Sequence, residues 1–135
     1  MTEDTKAHIL LVEDYKANVL VATALLEEFG YQYSVAYNGQ EALHKIKSLS
    51  FDLILMDVQM PGIDGFEATH FVREWEKENN NTGKKRLPII GMTAHALSGD
   101  RERCLAVGMD DYLAKPYNPD EFKSKIEKHL GKRLI

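Results

Sequence analysis

Apolar residues recur along this chain in short unbroken runs, separated by longer stretches of helical periodicity. AHILLV, residues 7–12, stops at Glu13 and Asp14 and reads as a central parallel strand buried on both faces. After Tyr15, the spacing of Ala22, Leu25, Leu26 and Phe29 predicts a helix that Gly30 closes. A second strand follows at 31–36, then Asn38-Gly39 as a turn or cap. The next helix, over about 40–47, places Ala42, Leu43 and Ile46 on one side. FDLILMD, residues 51–57, is the clearest strand and ends on a carboxylate, and VQMPGIDG after it is a loop. A helix is predicted over 66–76, a polar, Asn-rich loop over 76–86, and a strand over 87–92 that ends at Thr93. Ser98 reads as the N-cap of a helix over 99–106. The last strand, 109–114, runs into Lys115-Pro116, and Asn118 or Pro119 opens a final helix that Gly131 closes.

Strand and helix thus alternate five times without an internal sequence repeat. That order predicts a parallel sheet covered on both faces, an α/β protein built as a three-layer α/β/α sandwich. A chain of 135 residues suits one domain, with a core over about 7–131. At 44% hydrophobic and 28% charged it can fill that core and still solvate its surface.

Charge and cysteine content narrow the function. Seventeen Lys and Arg against 21 Asp and Glu give a net charge of -4 with no basic block, which argues against direct nucleic-acid binding. A single cysteine, Cys104, excludes an intrachain disulfide and a zinc site of several thiolates. His8, His44, His70, His95 and His129 are scattered without ligand spacing. No apolar run approaches the roughly 18 residues of a membrane span, and Met1 to Lys6 lacks the apolar segment of a secretory signal. A cytoplasmic protein without membrane insertion is expected.

In open α/β sheets, ligands bind beyond the carboxyl ends of the strands. Four of the five strand ends here carry chemistry: Glu13-Asp14, Asp57, Thr93 and Lys115. Three crowded carboxylates repel one another, and Lys115 offsets only one charge, so a divalent cation would complete the balance. Oxygen donors without thiols or clustered histidines point to Mg2+, with Mn2+ as the alternative ion. The expected ligands are Asp14, Asp57 and the backbone carbonyl of Gln59, with Glu13 acting through water. Asp57, at the end of the central strand, is then the expected nucleophile toward a phosphoryl group, and Lys115 and the Thr93 hydroxyl take the phosphoryl oxygens. An aspartyl phosphate is an acyl phosphate, easily made and easily lost, which suits a transient signal.

ILLVEDYKANV at 9–19, DLILMDVQMPGIDGFEA at 52–68, PIIGMTAHAL at 88–97 and GMDDYLAKP at 108–116 together resemble the receiver domains of two-component response regulators. The resemblance covers residues 7–131. It implies a flavodoxin-like five-stranded parallel sheet of order 2-1-3-4-5. It also implies an acidic pair at Glu13 and Asp14, a phosphoacceptor at Asp57, a switch hydroxyl at Thr93, an invariant lysine at Lys115 and a switch aromatic at Tyr112. A cis peptide before Pro116 belongs to the same pattern. Gln59 and His95 fall at positions that set the lifetime of the phosphate, and neither is a carboxylate that would act as a strong general base. MDVQMPGIDGFEAT, GMTAHAL and Asn18 are similar to receivers of hybrid sensor kinases and phosphorelays, while Tyr15 and Gly91 depart from the commoner Asn and Ala.

The implied partner is a sensor histidine kinase or a histidine phosphotransfer protein. A surface of the fourth helix, fifth strand and fifth helix then changes its preference for a downstream target, as monomer or as phosphorylation-driven dimer. The implied activity is self-catalysed, Mg2+-dependent phosphorylation and dephosphorylation rather than conventional turnover. Two alternatives differ in class. A phosphorylation-independent interaction module would be expected to lack at least one of the five site residues. A haloacid-dehalogenase-type phosphatase needs a second aspartate where Gln59 stands. Neither GxGxxG nor GxxxxGK[ST] occurs. Only KRLI follows Gly131, so the chain reads as a single-domain regulator or a receiver taken from a larger protein.

Overall fold

A computed structural model describes residues 7–79, 86–94 and 99–134. Five strands, β1 (His8–Val12), β2 (Gln32–Ala36), β3 (Leu53–Asp57), β4 (Ile89–Thr93) and β5 (Asp111–Ala114), alternate with five helices. The helices are α1 (Lys16–Glu28), α2 (Gly39–Ser48), α3 (Gly65–Glu78), α4 (Asp100–Ala106) and α5 (Pro119–Leu134). All pairings are parallel, and the sheet order is β2-β1-β3-β4-β5. The predicted architecture and strand order are both found.

Alternation along the strands makes two cores. Leu10, Val12, Ile54, Met56 and Ile89 face Ala42 and Ile46 of α2, Phe66, Ala68 and Val72 of α3, and Cys104 of α4. Ile9, Leu11, Leu53, Leu55, Ile90 and Met92 face Val19, Ala22 and Leu26 of α1 and Phe122, Ile126 and Leu130 of α5. A strand buried on both faces has no polar side to show, which is why β1, β3 and β4 read as continuous apolar runs. The edge strands β2 and β5 are only partly buried.

Local signals set the helix starts. The Asn38 side chain accepts from Glu41 N–H at 2.8 Å, and Asn118 from Glu121 N–H at 3.0 Å ahead of Pro119. Asp64 and Glu67 form a capping box on α3, a pattern legible as D-x-x-E though not predicted above. Gly30 adopts φ 84° after the C-cap of α1, as a terminating glycine should.

Several boundaries differ from expectation. Gly131 does not close α5, which continues to Leu134; with open space around it, a lone glycine weakens a helix without stopping it. The helix α3 extends two residues beyond Glu76. Met109 belongs to the turn before β5, its N–H donating to Cys104 O at 2.9 Å. Ser98, the expected cap of α4, lies outside the described residues, and Gly99 with φ 99° occupies the N-cap.

Gly65 and Gly91 are among the glycines that mark close approaches. A Cβ on Gly91 would lie 2.6 Å from Met109 Sδ and 2.9 Å from Cys104 Sγ, so the larger neighbours occupy the space an alanine would take. A Cβ on Gly65 would lie 2.2 Å from Asp57 O and 2.7 Å from Val58 Cα, where only backbone could yield. Gly65→Ala is therefore expected to lower stability by about 2–3 kcal/mol, read as an earlier urea midpoint. An unchanged midpoint would contradict this packing.

Candidate functional site

Glu13, Asp57, Thr93 and Lys115 each sit at or just beyond a strand end, where the ladder continues far enough to hold them. Glu13 N–H donates to Ala36 O at 3.0 Å, Val58 N–H to Met92 O at 3.1 Å and Lys115 N–H to Thr93 O at 2.9 Å. Parallel pairing thus lines up Glu13, Asp57, Thr93 and Lys115 along one edge of the sheet. The peptide between Lys115 and Pro116 is cis, as the resemblance implies.

The side chains converge. Lys115 Nζ lies 2.9 Å from Asp57 Oδ1 and 3.2 Å from Glu13 Oε1. Glu13 is fully buried, and Asp57 is 2% exposed. Asp14 stands at the exposed mouth. Glu13 Oε2 accepts from Tyr15 N–H at 3.2 Å and from the Asn18 amide at 3.4 Å, which turns the carboxylate inward. Asp57 Oδ1 also accepts from Gln59 N–H at 3.2 Å.

Burial pushes the Asp57 carboxyl up to about 7; the Lys115 ammonium opposes that shift and Glu13 adds to it. The Tyr117 phenol is raised as well, by burial first and then by the negative charge of Glu13 and Asp57.

One oxygen from each of Glu13, Asp14 and Asp57 lies within 4.8 Å of the others. Buried Glu13 Oε1 accepts no hydrogen bond among the described residues, although Lys115 faces it. Three carboxylates against one ammonium, all oxygen donors and open at Asp14, fit a hard divalent cation.

Thr93 is buried, and its hydroxyl donates to Asp100 Oδ2 at 2.7 Å. Tyr112 lies in β5 opposite Gly91 and is half-buried. Lys125 Nζ lies 4.2 Å from the centre of its ring, and the Arg101 guanidinium 5.6 Å. His95 lies outside the described residues. Asp100 is not singled out by the sequence, since an acid in a first helical turn is ordinary; only the fold brings it to Thr93. Asn18 reads from sequence as a mark of subclass, and the structure adds its bond to Glu13. An open cleft of about 490 Å³ borders the site, lined by Gln59, Met60, Asp64, Phe66, Asp100 and Arg103 among others.

A parallel sheet of this order, with a carboxylate cluster and a lysine at its carboxyl edge, defines a class of phosphoacceptor domain. The response regulator receiver domain family matches residues 9–127, and the chain belongs to that family. The sensor histidine kinase GacS of Pseudomonas protegens is 41% identical over 126 residues, covering 93% of this chain and 13% of that protein. Hybrid signal transduction histidine kinase B of Dictyostelium discoideum is 45% identical over 129 residues, covering 91% of this chain and 7% of that protein. The chain therefore spans only a small fraction of the length of these curated relatives.

Among solved structures, the receiver domain of a sensor histidine kinase from Pseudomonas aeruginosa has a magnesium ion coordinated in its active-site cleft. It superposes with a TM-score of 0.83 at 39% identity, over 94% of this chain and 99% of that one. The receiver domain of the Saccharomyces cerevisiae response regulator Ssk1, crystallised with the histidine phosphotransfer protein Ypd1, gives a TM-score of 0.86 at 32% identity, over 96% and 92%. Among the described residues, no helix is long and apolar enough to cross a membrane.

The raised carboxyl of Asp57 has a consequence for stability. Between the ordinary value near 3.8 and about 7, the folded state keeps a proton that the unfolded state has lost. Folding stability from this group therefore falls as pH rises through that window and stays lower above it. In Mg2+-free buffer, Asp57→Asn is expected to flatten that slope and to be more stable than wild type at pH 8 by about 1–3 kcal/mol. Denaturant melts from pH 4.5 to pH 8 measure both, and parallel wild-type and variant profiles would contradict the assignment.

Proposed function

We propose that Asp57 accepts a phosphoryl group from a phosphohistidine of a sensor histidine kinase or a histidine phosphotransfer protein. The observation that carries this reading is the gathering of Glu13, Asp14 and Asp57 within 4.8 Å, with the Lys115 ammonium 2.9 Å from Asp57. The likeness to hybrid kinases, and to a receiver crystallised with a phosphotransfer protein, supports the choice of partner.

In the transfer, the N–P bond of the phosphohistidine breaks as an O–P bond forms to a carboxylate oxygen of Asp57. The imidazole leaves with the electron pair of the broken bond and takes up a proton from solvent. Lys115 offsets the charge that gathers on the phosphoryl oxygens, and the Thr93 hydroxyl donates to one of them. Asp14, Asp57 and the Gln59 carbonyl, with Glu13 through water, would hold Mg2+ or Mn2+. When bound, that cation neutralises the phosphoryl oxygens and the carboxylates together. Tyr112 then acts as the switch aromatic on the α4–β5–α5 surface, and Gln59 and His95 tune the lifetime of the acyl phosphate. Residues 7–131 form the receiver core.

Incubation with acetyl phosphate and Mg2+ is expected to add one phosphoryl group to the wild-type chain, read by intact mass. The adduct should be absent without Mg2+ and absent in Asp57→Asn. Folded wild-type protein that gives neither an adduct nor a Mg2+-dependent response to beryllofluoride would overturn the reading. Lys115→Ala, which removes the ammonium that faces Asp57, is expected to slow adduct formation by about a hundredfold, followed by the same mass measurement over time.

A further inference from the structure

Thr93 has one hydroxyl proton and can serve one strong acceptor at a time. In this structure that acceptor is Asp100 Oδ2 at 2.7 Å, the short separation of a hydrogen bond to a charged oxygen. We propose that Asp100 is a positioning residue which holds the Thr93 hydroxyl away from the phosphoryl group. Release of this bond is then the step by which phosphorylation of Asp57 reaches α4. The inference rests on Asp57 being the phosphoacceptor, and it assigns to Asp100 a part in setting the balance between two states.

The geometry makes the competition local. Thr93 is the last residue of β4 and is 1% exposed, so its hydroxyl has few directions in which to turn. Met92, its neighbour in β4, is the register partner of Asp57. A phosphoryl oxygen on Asp57 and the Asp100 carboxylate therefore draw on the same proton. Asp100 is the first residue of α4, directly after Gly99 in the left-handed region, so the bond ties a strand end to the first turn of that helix. Once Thr93 donates to the phosphoryl group, that tie is gone. Arg101, the next residue, places its guanidinium 5.6 Å from the centre of the Tyr112 ring, so a shift of the first turn is felt at Tyr112.

By linkage, a residue that stabilises only the unphosphorylated state weakens binding of anything that needs the other state. Removing the Asp100 charge should therefore favour a phosphoryl mimic. A carboxylate near an anion site would also repel the anion directly, without help from Thr93. A double-mutant cycle separates the two effects.

The test titrates beryllofluoride in saturating Mg2+ against wild type, Asp100→Asn, Thr93→Val and the double variant, with bound fluoride read by 19F NMR. Asp100→Asn keeps the size and the helix-starting character of the residue, and Asp100→Ser repeats the test should the Asn variant fold poorly. With Thr93 present, Asp100→Asn is expected to tighten the apparent affinity by about three- to thirtyfold. In the Thr93→Val background the same change should move affinity less than about twofold. An equal effect in both backgrounds reduces Asp100 to a repelling charge and overturns the proposal, as does no effect when Thr93 is present. Wild-type protein that binds no beryllofluoride would instead overturn the assignment of Asp57, and with it this inference.

Discussion

The Lys115 ammonium, held between the carboxylates of Asp57 and Glu13, is the interaction on which the rest of the structure depends. Two buried carboxylates side by side repel each other and lose the solvation of water, and a single buried cation offsets part of both penalties. Lys115 follows β5 at one edge of the sheet, and Glu13 follows β1 on the far side of β3. The ammonium meets both because every strand is parallel, so the residues at or just after the ends of β1, β3 and β5 all emerge on one edge of the sheet. The long lysine side chain reaches back across β4 and β3. The parallel sheet is thus a precondition of the charge balance.

The same demand explains the density of apolar packing beneath the site. Strands β3 and β4 are buried along their whole length, and each face of the sheet has its own core. A scaffold that keeps a carboxyl at about 7 must exclude water from it, and close backbone approach helps. Gly65 brings the start of α3 against the Asp57 carbonyl, and Gly91 makes room for Met109 and Cys104 between β4 and the α4–β5 turn. The energy lost in burying charge at Asp57 is supplied by these apolar layers, which do no chemistry themselves.

At the opposite end of the sheet, Arg73 from α3 donates to Gly108 O, Leu87 O, Glu76 and Asp110, and Arg86 adds bonds to Gly108 O and Asp110. Asp110 in turn accepts from Ile89 N–H. This network fixes the turn between α4 and β5, while the Met109 N–H bond to Cys104 O holds the end of the helix. The helix α4 is therefore anchored firmly at its carboxyl end, and its amino end is tied to β4 through Asp100. On the adjacent face, Asp111 pairs with His129 and Lys125, and Lys125 also covers Tyr112, so β5 and α5 are joined by charge as well as by packing.

What the sequence determined by itself was whatever depends on neighbours along the chain. Continuous apolar runs at 9–12 and 53–56 required doubly buried strands, and strand–helix alternation required parallel crossovers. The carboxylates, Thr93 and Lys115 at the strand ends followed from that, because a parallel sheet gathers its carboxyl ends on one edge. Helix ends were less legible: Gly131 resembles a stop signal, but a helix halts only when its backbone finds better partners elsewhere. The tertiary structure alone decided that Lys115 spans to Glu13, that Asn18 turns that carboxylate inward and that Asp100 meets the Thr93 hydroxyl. It alone decided that the sulfurs of Met109 and Cys104 fill the space beside Gly91. Each is a contact between side chains or a close approach of backbone fixed by distances of a few ångströms across different elements, and periodicity carries no such information.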